Sequence, residues 1–166
     1  MALPKPTISD PMTDAAALPR AVAAIRQKIL QACATRDIEA LRIPIDWNEV
    51  RPLFERGVRR PPGEDPVERL KALSFDRKGE EMTALLRTVL RQAYVIETRG
   101  KTRMYVWPAF ALKPPADPTP DERQLMLACV RFADLSRADK SGRPPAMRVG
   151  IAADGVWHYF WSADPD

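Results

Sequence analysis

An α+β fold is what this sequence predicts: a helical N-terminal half and a small antiparallel sheet made of two hairpins separated by a helix. Three observations carry that reading. Apolar residues recur at spacings of three and four as far as Leu90, the period of a helix with one buried face. β-branched and aromatic residues then gather after Ala93 and again after Ala146, each time around a glycine, as hairpin strands do. Prolines cluster at Pro4 to Pro19, Pro61-Pro62, Pro114 to Pro120, Pro144-Pro145 and Pro165. Proline cannot continue a helix interior or a central strand, so these clusters separate elements.

Residues 1–14 carry Pro, Thr, Ser and Asp with few large apolar groups and read as a flexible tail. Residues 15–164 read as a single α+β domain. Asp14 offers a helix cap, and Val22, Ile25, Ile29 and Cys33 fall on one helical face. A short helix from Asp37 turns Ile38 and Leu41 inward, and Pro44 is expected to stop it. Asp46 and Glu49 have capping-box spacing, which predicts a further helix with Trp47, Val50, Leu53 and Phe54 inward and Gly57 at its end. Pro52 lies awkwardly within it.

Arg56, Arg59 and Arg60 form a basic loop. Asp65-Pro66-Val67-Glu68 combines a cap, a proline at the first helical position and an acid near the N-terminus. Val67, Leu70 and Leu73 follow as its buried stripe. Asp76 caps the next helix, whose stripe is Met82, Leu85, Leu86, Val89 and Leu90. Tyr94 to Thr98 and Lys101 to Trp107 form the first hairpin, and Pro108 ends it. Thr119-Pro120-Asp121-Glu122 is the clearest helix start in the chain. Leu125, Ala128, Cys129, Phe132 and Ala133 are its expected inner face. Met147 to Ala152 and Val156 to Trp161 form the second hairpin about Asp154-Gly155, a strong turn signal.

The chain has 166 residues, enough for one domain with its own core. It is 45% hydrophobic and 29% charged, a globular balance. No apolar run approaches the ~20 residues of a membrane span. No basic start followed by an apolar stretch marks a secretory signal. The net charge of +4 permits an anionic partner without requiring one. A membrane-spanning protein, a collagen, a disulfide-stapled miniature and a coiled coil are excluded.

Chemistry is sparse. Neither Cys33 nor Cys129 belongs to a metal-binding spacing, so no metal site and no cofactor is expected. The two read as buried free thiols, with one long-range disulfide as the alternative. There is no nucleophile elbow, no phosphate-binding glycine loop and no calcium loop. No catalytic residue is assigned.

The aromatic density of the hairpins is the strongest functional signal. If Ala153 pairs with Val156, then Trp157, Tyr159 and Trp161 share a face with Ala152, Gly150 and Arg148. Adding Trp107 gives a candidate ligand-binding surface of Trp107, Arg148, Trp157, Tyr159 and Trp161 for a small molecule or a protein. The reading that follows is a non-enzymatic binding module. A hydrolase built on His158, the only histidine, with Asp154 or Asp164, is the alternative. A weak single-strand nucleic-acid binder is another. It would use Arg56, Arg59, Arg60, Arg99, Lys101 and Arg103 beside Tyr94, Tyr105 and Trp107, but interspersed acids and the missing recognition motif disfavour it.

Several segments resemble a family of uncharacterised alphaproteobacterial proteins, common in rhizobia and their relatives. They are Asp65-Pro66-Val67, Met104-Tyr105-Val106-Trp107-Pro108 with Phe110-Ala111, the start at Thr119, and Gly150-Ile151, Asp154-Gly155, Trp157 and Tyr159-Phe160. The likeness runs from about Leu18 to Asp164. It implies the fold and, through the export signals that relatives often carry, a periplasmic location, with a cytoplasmic one as the alternative if no signal peptide precedes Met1. It implies no catalytic residue.

Overall fold

A computed structural model describes residues 2–140 and 142–162. Five helices and a five-stranded antiparallel sheet make an α+β architecture, with the helices mostly in the N-terminal half. The helices are α1 (Arg20–Ala34), α2 (Arg42–Ile45), α3 (Pro66–Leu73), α4 (Glu80–Leu90) and α5 (Pro120–Leu127). The strands are β1 (Thr7–Ile8), β2 (Val95–Arg99), β3 (Thr102–Trp107), β4 (Met147–Ala152) and β5 (Trp157–Ser162). They lie in sequence order across the sheet.

Directly paired residues project to the same face. Ile96, Tyr105 and Ile151 therefore share one face with Trp107, Val149 and Phe160. That face meets Val22, Ile25 and Ile29 of α1 and Met82, Leu86 and Val89 of α4 in the main core. The opposite face holds a smaller cluster of Val95, Val106 and Ala109, flanked by Ile8, Met104 and Leu112.

The helix starts rest on the expected side chains. Asp65 accepts the Val67 N–H at 2.9 Å, and Thr119 and Glu122 form a reciprocal capping box. Gly79 occupies the cap position of α4 with a positive φ of 90°, so Asp76 reaches in from outside. Its carboxylate accepts the N–H groups of Lys78, Glu80 and Glu81. Asp14 caps a 3₁₀ turn at Ala15–Ala17, one step before α1.

Four expectations are corrected. The stretch expected as a flexible tail runs along the sheet: Thr7–Ile8 pairs with Thr98 and Glu97, and Met12 exchanges two hydrogen bonds with Tyr94. Pro44 does not stop the short helix, which continues to Ile45. The helix expected over 46–57 does not form. Leu53 instead donates its N–H to the His158 carbonyl and accepts the Phe160 N–H, both at 2.9 Å. Pro52 beside it has no N–H to give a helix, and Asp46 pairs with Arg51 at 2.8 Å rather than capping. Trp47 and Val50 are left 56% and 57% exposed; only Phe54 is buried.

The fourth correction concerns α5. It buries no side chain, and Leu125 and Phe132, expected inward, are exposed. The helix ends at Leu127, and the chain then turns, so the helical spacing does not carry through to Cys129 and Phe132. Cys129 is buried and its carbonyl accepts the Met147 N–H at 2.7 Å. Phe132 lies against Phe75, ring centroids 4.4 Å apart. One carboxylate, Glu81, accepts the N–H groups of both phenylalanines.

Candidate functional site

The second hairpin positions the site. Arg148 pairs with Trp161 and Gly150 with Tyr159, as expected. The register then shifts between Gly150 and Ile151, so Ile151 pairs with Trp157 and His158 is the extra residue of a bulge. One inserted residue reverses the face of everything beyond it. Trp157 is thereby turned into the helix-covered core, where Phe54 meets it edge-on with centroids 6.0 Å apart. Its indole N–H donates to the Tyr159 carbonyl at 3.0 Å. Trp107 is also in the core, 5.2 Å from Tyr94 between centroids. Both tryptophans are 1% exposed, so neither can touch a ligand on the surface.

The five-residue candidate thus divides. Trp107 and Trp157 belong to the core; Arg148, Tyr159 and Trp161 share the opposite face and stay half-buried. Tyr159 lies over Gly150: a Cβ on that glycine would fall 2.3 Å from the ring. Trp161 stacks on Tyr159 with centroids 4.2 Å apart and planes 4° from parallel. Burial pushes the Tyr159 hydroxyl up to about 12, and the charges of Arg148, Arg56 and Arg99 pull against that rise while Glu97 adds to it. The phenol is therefore neutral at physiological pH, with three guanidinium groups and one carboxylate in its electrostatic neighbourhood. Glu97 and Arg99 pair with each other at 2.8 Å.

The bulge also fixes His158, which is half-buried with its carbonyl engaged by Leu53. Asp154 folds back on the Val156 N–H at 3.1 Å. Asp164 lies outside the described residues, and among those residues nothing hydrogen-bonds the imidazole. Cys33 and Cys129 are free and buried, and burial pushes each thiol up to about 12. Neither is a thiolate at neutral pH. Tyr94, Tyr105 and Trp107, the rings expected beside Arg99, Lys101 and Arg103, are buried on the helix side and cannot stack on bases.

Among the described residues, no three of His, Cys, Asp or Glu lie close enough together to hold a metal ion. No helix among them is long and apolar enough to cross a membrane. The bulge is the feature that periodicity could not find. The backbone pairing of Leu53 with β5 has no pattern in the sequence beyond the proline before it. No family model, curated protein or solved structure matches the chain.

Proposed function

We propose that the chain is a non-enzymatic binding module whose recognition surface is the sheet face turned away from α1 and α4, centred on Arg148, Tyr159 and Trp161. The parallel stack of Tyr159 and Trp161 carries this reading. Two large rings are held half-buried on a sheet face, in register with a guanidinium. Rings are rigid contact surfaces that lose little conformational freedom on binding, and a guanidinium beside them takes a carboxylate or the face of another ring. The occupant that suits this surface is a small molecule or protein segment presenting a flat apolar group and a negative charge.

The test is an NMR titration of the full chain with indole-3-acetate and with a short peptide ending in an aromatic residue and a free carboxylate. Shifts confined to Arg148, Tyr159, the Trp161 indole and their neighbours support the proposal, as does their loss in Trp161→Ala. Perturbation elsewhere, or none at millimolar ligand, overturns it.

A further inference from the structure

A separate concavity lies between the 42–51 segment and the loop leading into α3. It is an open cleft of about 430 Å³, within the size range of small-ligand sites. Its charged lining is Arg42, Arg51 and Arg60 with Asp46, Glu64 and Asp65. Each acid already has a partner. Asp46 pairs with Arg51 at 2.8 Å, Asp65 with Arg42 at 2.8 Å, and Glu64 with Arg69, outside the cleft, at 2.6 Å.

Arg60 differs from the other two arginines. Its guanidinium donates to the Pro52 carbonyl, and among the described residues it forms no ion pair with a carboxylate. Burial, and then the charge of Arg51, lower its affinity for a proton, while Glu64 pulls weakly the other way. Arg51 and Arg60 both line the cleft, so an anion there would meet two guanidinium groups. It would offset their repulsion and offer a charged acceptor beside those that Asp46 and the Pro52 carbonyl already provide.

We propose that this cleft binds a phosphate group between Arg51 and Arg60, either free or as a small phosphomonoester. Phosphate fits better than carboxylate because it offers three terminal oxygens and a charge of about −1.5 to −2 near neutral pH, so it can accept from two guanidinium forks at once. The cleft exceeds the size of bare phosphate, which leaves room for an organic group. Pro61, Pro62 and Pro66 stiffen its wall, so less ordering is needed on binding. Asp46 is the competitor, since it already occupies Arg51.

Isothermal titration of the full chain with inorganic phosphate and with glycerol 3-phosphate tests this. Saturable binding that weakens with added salt is expected. Arg60→Gln and Arg51→Gln should each lower affinity by about tenfold or more, and Arg123→Gln should leave it unchanged. Asp46→Asn should tighten binding several-fold by releasing Arg51, a gain that a misfolded variant cannot mimic. Tighter binding of the ester assigns the phosphomonoester; equal binding assigns free phosphate. The proposal is overturned by the absence of saturation below about 10 mM of either probe, by wild-type affinity in Arg60→Gln, or by Asp46→Asn binding no tighter.

Discussion

The ring of Tyr159 fills the space that a side chain at Gly150 would need: a Cβ there would meet Tyr159 Cε1 at 2.3 Å. Gly150→Ala must push the ring off the sheet or bend β4. A loss of about 1–3 kcal/mol in urea unfolding is expected, the usual range for overpacking. The cost should shrink when Tyr159 is also alanine, because the clash is then removed. Additive losses in the double variant would show that the two residues do not share this space.

Trp157 and Trp161 lie only four positions apart but should differ sharply on truncation. Trp157→Ala opens the core and is expected to cost about 3–5 kcal/mol. Trp161→Ala, at a half-buried face, is expected to cost much less. Chemical denaturation of the two variants is the measurement, and equal losses would contradict the bulge at His158.

That bulge marks where sequence reasoning stops. Alternation along Met147 to Ala152 and the Asp154-Gly155 turn located the hairpin and correctly paired Gly150 with Tyr159. Nothing in a period of two announces an extra residue, so Trp157 was expected beside Tyr159 and lies instead against Phe54. The helix starts at Asp65 and Thr119 were legible because capping is local chemistry within four residues. The 46–57 segment was not, since its capping-box spacing was overridden by long-range backbone pairing of Leu53 with β5. The same blindness applies to Thr7–Ile8, whose few apolar atoms hide a strand defined by its partner. Of the five surface candidates, Arg148, Tyr159 and Trp161 share one face while Trp107 and Trp157 lie in the core, a division that alternation alone does not give.

Asp76 makes stability depend on acid. Burial opposes its ionisation, but the N–H groups of Glu81 and Lys78, the Ser74 hydroxyl and the Glu80 N–H outweigh burial and hold its carboxyl at about 2, below the ordinary 3.8. A folded-state value below the unfolded one means that the contribution is complete above pH 3.8 and is lost as pH falls from there toward 2. Asp76→Asn should flatten that part of the stability profile. Asp76→Ala should lower stability at neutral pH by about 0.5–2 kcal/mol, as loss of a helix cap does. Thermal melts from pH 2 to pH 7 measure both.

Cys33 and Cys129 should be silent toward thiol reagents in the folded protein at pH 8. Burial excludes the reagent and keeps both thiols protonated. Titration with a disulfide reagent should count no reactive thiol before denaturation and two after it, matching the two cysteines of the chain. Rapid modification under native conditions would contradict their burial.

The two margins of the sheet have a consequence for how copies of this chain meet. Bare strands recruit further chains through their unpaired peptide groups, the first step of polymerisation. Here β1 occupies one side, and on the other Leu53 takes both the His158 carbonyl and the Phe160 N–H. Pro52, next to it, has no N–H to extend the ladder outward. Two short pieces of chain, one a two-residue strand and one a single residue, thus take up backbone groups at both margins of the sheet.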